Sequence, residues 1–196
     1  MKTLYSLTLG LCLLASAAFG GTLQQLHFDE LGPGVPIPVN GLHMGGVLFQ
    51  FSGGAADYNG SIGTDGSTAL VSDPLLVGET GGTLTLTFDH PTSILRFDIA
   101  MESIDVLTDA YSVAIAENPL FTRDTAPIVL LSEGQFIYPG TVPVRSAVIT
   151  FSAAAPGFGL DNLTFAQSPE PATSLVAGLA LLMLAGVTYR RRRQKR

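Results

Sequence analysis

Hydrophobic and polar positions alternate with a period of two through most of residues 22–168. "TLTLTF" sets Leu84, Leu86 and Phe88 on one face and three threonines on the other. "ILRFDIA" turns Leu95, Phe97 and Ile99 inward, with Arg96 and Asp98 outward. "VLFQF" aligns Val47, Phe49 and Phe51, and "YSVAIA" aligns Tyr111, Val113 and Ile115. Successive side chains of a strand point to opposite faces, so each run predicts a strand with one buried face. Further strands are expected at 23–28, 128–131, 135–138, 144–151 and 160–165. Clusters such as "LGPGVPIPVNG" and "GGAADYNGSIGTDGS" supply the turns between them. Short strands in this pattern predict an all-β fold, an antiparallel β-sandwich with one wet face per sheet. The stretch "LTDAYSVAIAENPLFTRD" leaves open a short helix at its start.

The two ends break the pattern. "MKTLYSLTLGLCLLASAAFGG" carries one charge at Lys2, an apolar core over 7–14, then small residues. That is the layout of a secretory signal peptide over residues 1–21, with cleavage expected between Ala17 and Gly21. Cys12 is the only cysteine and lies inside this run, so the exported domain at 22–168 has no thiol for a disulfide. Bulky Leu11 before it argues against a lipoprotein signal.

At the other end, residues 172–189 form a run without a charge. As a helix it rises about 1.5 Å per residue, which brings it close to a hydrocarbon layer of about 30 Å. It stops at Arg190, Arg191, Arg192 and Arg193, followed by Gln194, Lys195 and Arg196. Such a cluster resists translocation, which leaves it cytoplasmic and the domain outside. Ahead of the run stands Pro169-Glu170-Pro171, which forbids helix and predicts extended chain. A plain juxtamembrane spacer would also fit. The order of triplet, single span and arginine cluster over 169–196 resembles the PEP-CTERM protein-sorting domain. Members of that family are exported by bacteria with an outer membrane and recognised by an exosortase, an integral-membrane cysteine protease. The resemblance implies that Pro169, Glu170 and Pro171 are the sorting motif and that Arg190–Arg193, Lys195 and Arg196 are the retention tail. The long basic cluster ending in Gln-Lys-Arg departs slightly from the pattern. The implied route is inner-membrane anchoring before processing, then the cell surface or the extracellular space. The opening "LHFDELGPGVPIP" and closing "GFGLDNLTF" look like the ends of jelly-roll, carbohydrate-binding-module-like domains. The likeness implies a Phe-Asp strand and a Leu-Asp-Asn strand close together in one sandwich.

Charge narrows the partners. Residues 22–168 hold only Arg96, Arg123 and Arg145 against fifteen carboxylates, a formal −12 behind the whole-chain value of −6. An acidic domain lacks the Lys and Arg needed to displace phosphate counterions, so nucleic acid is not an expected partner.

The chemistry is sparse. His27, His43 and His90 lack zinc-ligand spacing. Asp89-His90 before Pro91 reads as a turn after Phe88, and no nucleophile elbow or phosphate loop appears. Asp57, Asn59 and Asp65 in a glycine-rich loop offer hard oxygen ligands for Ca²⁺. Asp29 and Asp161 offer a second set if their strands are neighbours. The loop lacks ordered calcium-loop spacing, so solvated turn residues are the favoured reading, and no cofactor is required. Sugar binding would want exposed aromatic rings; with no tryptophan, Tyr58 is the leading candidate platform, since Tyr111 follows the core parity. The expectation is a non-enzymatic surface or matrix protein, associated through its family setting with exopolysaccharide or biofilm. A polysaccharide-binding module is the alternative, and a surface glycan hydrolase the third.

Overall fold

The computed structural model describes residues 22–31, 35–62, 69–115, 118–128 and 131–167. The signal peptide, Asp65, the sorting motif, the apolar run and the basic tail lie outside the described residues. Residues Leu23–Gln167 form one compact unit. Among the described residues no helix is long and apolar enough to cross a membrane.

The chain runs through thirteen strands: β1 (Thr22–Leu26), β2 (Ile37–Pro38), β3 (His43–Met44), β4 (Val47–Ser52), β5 (Ala56–Gly60), β6 (Leu75–Glu79), β7 (Thr83–Thr92), β8 (Leu95–Met101), β9 (Leu107–Ile115), β10 (Asn118–Pro127), β11 (Ser132–Ile137), β12 (Val144–Phe151) and β13 (Gly157–Gln167). Strands β2-β5-β6-β13-β8-β11 make one layer and β10-β9-β12-β7-β4-β3 the other, with β1 added on β13. Strand β10 belongs to both. Its body pairs with β9, while Ala126 and Pro127 pair with Glu133 and Ser132 of β11. A buried hydrogen bond of 2.6 Å from the Ser132 hydroxyl to Thr125 Oγ1 fastens that junction. The result is an antiparallel sheet curled into a sandwich, as the alternation predicts.

The core forms where the inward parities of both layers meet. Leu84, Leu86, Phe97, Ile99, Val113 and Leu160 are wholly buried. Phe151 of β12 stacks on Phe158 of β13 with ring centroids 3.6 Å apart, joining the two layers.

Several expectations are corrected. The 107–115 stretch is strand β9 throughout, because its alternating apolar residues are paired on both sides, by β10 and β12. Asp57 and Asn59 sit in strand β5 rather than a loop, where Asp57 pairs with Val77. Asp89 and His90 continue β7 instead of turning, since the Asp89 amide donates to the Gly46 carbonyl and Thr92 still pairs with Val144. Residues Ile128 and Leu131 are a connection closed by a 2.6 Å backbone bond, and the strand lies before them in β10. The first layer is not wet over its whole outer face. Ile62 and Val71 pack on Leu75, Ala100 and Leu131 there, building a second, smaller core.

Candidate functional site

The outer face of the first layer collects most of the domain's placed polar chemistry. On β13, Phe158 and Leu160 point into the main core, which turns Gly157, Gly159 and Asp161 outward. Pairing sets Asp57, Val77, Gly159, Ala100 and Glu133 in one row across five strands. A second row runs Asp161, Asp98, Gln135.

Two arrangements result. Near the start of β13 an open cleft of about 250 Å³ is lined by Asp57, Ser61, Glu79, Glu102, Pro156 and Phe158, among others. Gly157 is part of this lining, where a Cβ would stand 2.8 Å from Glu102 Oε2. Three carboxylates, a hydroxyl and an apolar floor form a hydrogen-bond-accepting groove. Ser61 donates to Asp73 Oδ2 at 2.6 Å, which fixes one wall.

Further along the same face the carboxylates are buried and tied down. Residues 69–73 cross over the sheet and are held by side chains beneath them. Asp161 Oδ2 accepts the Ser72 amide at 3.0 Å and its hydroxyl at 3.3 Å, while Oδ1 accepts the Asn162 amide at 2.6 Å. Glu133 Oε2 accepts the Leu70 amide at 3.0 Å. The Asn162 carboxamide donates to the Leu70 carbonyl and to Asp98 Oδ2, and Gln135 donates to Asp98 Oδ1. Asn162 does this from φ 53°, at a break in the β13–β8 register. Asparagine is among the few side chains that tolerate this left-handed backbone.

Burial pushes Glu133 upward from the usual carboxylate range; amides of Leu70 and Val71 oppose this, and the Asp98 charge adds to it. Burial likewise pushes Asp161 up, against hydrogen bonds from Ser72 and Asn162. These groups fasten a segment to the sheet. Asp98, expected outward, is buried because the 69–73 segment covers its row.

The remaining sequence-flagged residues scatter. Asp29 is exposed just beyond β1, Asp57 lines the cleft, and Asn59 occupies a left-handed position at φ 62° in β5. Strand β1 does pair with β13, but Asp161 spends its oxygens on Ser72 and Asn162. Among the described residues no three of His, Cys, Asp and Glu are placed to hold a metal ion. Tyr58 is not a platform: it is wholly buried, edge-on to Phe28 at 5.7 Å, and its hydroxyl donates to Glu30 at 2.7 Å. Tyr111 and Tyr138 are buried as well. Asp89 pairs with His43 at 2.9 Å on the surface. Glu79, Glu102, Glu133 and Asn162 were not legible as site residues. Only the polar Asp-Asn pair inside the apolar "GLDNLTF" strand hinted at them.

No protein-family model and no curated protein matches this chain. Solved structures do. A variant of a family 29 carbohydrate-binding module, made to probe ligand recognition, is 13% identical and has a TM-score of 0.43, covering 74% of this chain and 92% of its own. A second variant, complexed with mannohexaose, is 12% identical at a TM-score of 0.43 over 76% and 93% of the two chains. A third, complexed with cellulohexaose, is 12% identical at a TM-score of 0.42 over 74% and 92%.

Proposed function

We propose that this is an exported, non-catalytic surface or matrix protein, delivered by a PEP-CTERM-like signal and displayed among extracellular polysaccharide. The observation that carries the reading is the order of Pro169-Glu170-Pro171, an uncharged run over 172–189 and the Arg190–Arg193, Lys195, Arg196 cluster. Each part has a physical task. The cationic tail is costly to move across the bilayer and halts export with the sandwich outside. The apolar run then keeps the triplet close to the membrane surface. The prolines keep its backbone extended, the form in which a peptide is captured strand-like in a groove. An exosortase is the proposed partner there, and the retention tail is removed with the span.

The test is a fragment pattern. In a host with the exosortase, an epitope in the sandwich should appear on a fragment lacking 190–196. Replacing Pro169-Glu170-Pro171 by three alanines should leave the longer form in the membrane. An intact C-terminus on the mature protein in that host would reduce the triplet to a spacer.

A polysaccharide-binding role for the sandwich is favoured by one observation, the open cleft with Asp57, Glu79 and Glu102 on its lining. Carboxylate oxygens accept hydrogen bonds from sugar hydroxyls, and charge-assisted bonds are the stronger kind. With Tyr58, Tyr111 and Tyr138 all buried, recognition would rest on these hydroxyl contacts rather than on tyrosine stacking. Glycan-array binding that disappears in a Glu79→Gln/Glu102→Gln variant supports this; binding indifferent to both substitutions removes the cleft from it.

A further inference from the structure

The sandwich is polarised along its strands. At one pole β13 ends beside the β7–β8 turn and the β11–β12 loop: Phe165 pairs with Leu95, Ile137 with Arg96 and Val144 with Thr92. The Ala166 amide donates to Thr92 Oγ1 at 2.7 Å, fixing the exit of the chain there. This pole exposes Ile94, Ile137 and Val142, at 45%, 56% and 43%. It also holds Arg96 and Arg145, both exposed. They are two of the three arginines between residues 22 and 168. The third, Arg123, lies over the rings of Phe121 and Phe136 at 5.9 and 5.6 Å. Among the described residues neither Arg96 nor Arg145 pairs with a carboxylate; the ion pair there is His43–Asp89. The opposite pole, at the start of β13, carries the acidic cleft with Asp57, Glu79 and Glu102, and nearby Asp105, Asp109 and Asp124.

We infer that the Ile94, Ile137 and Val142 pole, with Arg96 and Arg145, docks on an anionic phospholipid surface. The inference rests on the proposed membrane span, and three features favour lipid over other occupants. Strand β13 ends at Gln167, and only residues 168–171 separate it from the apolar run. Extended chain covers at most about 3.6 Å per residue, so this joint allows the exit pole little distance from the headgroups. Exposed aliphatics next to basic side chains match the interface between acyl chains and phosphates. The carboxylates gathered at the other pole are repelled by the same surface, which fixes the orientation. The cleft then faces away from lipid, open to a matrix.

The experiment uses the full chain with Cys12→Ser, in vesicles of phosphatidylcholine with phosphatidylglycerol and in phosphatidylcholine alone. An environment-sensitive fluorophore is attached through Thr141→Cys at the exit pole or Asp105→Cys at the far one, with nitroxide-headgroup lipid as quencher. Quenching at position 141 should exceed that at 105 several-fold in the anionic vesicles and weaken in phosphatidylcholine alone or with added salt. Arg96→Glu/Arg145→Glu should bring it down to the level at 105. Equal quenching at the two positions, or indifference to both the double variant and salt, overturns the inference. A fluorescence shift at 141 without lipid quenching does so too, since it marks a second copy on the pole. Carbonate extraction reports separately on the span: a chain stripped by carbonate sinks the anchor, while quenching before the wash still decides the pole.

Discussion

The Asn162 carboxamide donates to the Asp98 carboxylate at 3.1 Å, joining β13 to β8 beneath the 69–73 segment. The same nitrogen donates to the Leu70 carbonyl at 2.9 Å, so one side chain serves two elements. Asn162→Ala removes both bonds and puts a Cβ-bearing residue with no compensating polar group at φ 53°. The expected cost is about 2–4 kcal/mol, from a hydrogen bond to a charged acceptor plus the left-handed backbone. Asn162→Gly loses the bonds but not the backbone tolerance, and should be less damaging by about 1 kcal/mol. Urea unfolding of a chain cut to residues 22–167 measures both.

Glu133 predicts a pH dependence. Its folded-state pKa is raised above the ordinary value of 4.5, so the folded domain holds this proton to higher pH than the unfolded chain does. The stabilisation is full below the ordinary value and is lost as pH rises through the folded one. Asp161 acts in the same direction from 3.8. Glu133→Gln removes one of the two carboxylates from this linkage while leaving an oxygen for the Leu70 amide. Thermal melts from about pH 4 to about pH 7 should fall less steeply in the variant. An unchanged slope would show that Glu133 does not titrate there.

The two faces of β7 should respond oppositely to charge. Leu86 is wholly buried, whereas Thr85 is only half-buried, opposite Gln50 and Val148. Leu86→Asp puts an unpaired carboxylate in the core at a cost of several kcal/mol, against a total stability of about 5–15 kcal/mol, and should unfold the domain. Thr85→Asp should keep the β-rich circular-dichroism spectrum and a cooperative melt.

The cleft can be altered through its floor. A methyl group on residue 157 would stand 2.8 Å from Glu102 Oε2, the far end of an exposed, flexible side chain. Gly157→Ala should therefore move the carboxylate while changing stability by no more than about 1 kcal/mol. If the groove binds glycan hydroxyls, retention on a glycan column should weaken several-fold. Glu30→Gln, outside the cleft lining, serves as the control.

The core was legible and the covered face was not, for reasons that individual residues make clear. Leu84, Leu86 and Phe88 declare their face locally, because period-two alternation needs no knowledge of the partner strand. Strand β10 lacks that signal: "NPLFTRDTAP" does not alternate, and its place comes from pairing with β9 and β11. Asp98 reads as a solvent residue in "ILRFDIA", yet it is buried by partners 37 and 64 residues away in sequence. Tyr58 looked like a platform because its glycine-flanked stretch resembles a loop. Its burial follows from pairing of β5 with β6 and from the packing of Phe28. Local pattern encodes which face a residue prefers when sheets are half wet; it does not encode a segment laid across the wet half.

The sharing of β10 between layers has a further consequence. Joined there, the strands form a continuous path of pairing that ends in β2 and β3, each two residues long, with β1 as a side branch on β13. Neighbouring copies that meet the ends of that path on a crowded envelope would find only a two-residue strand to extend. A domain poor in lysine has few charges with which to guard a long margin, and at the two ends of this path the margin is short. Protection of those two ends against fibre-like stacking is topological and persists at any salt concentration at which the sandwich stays folded.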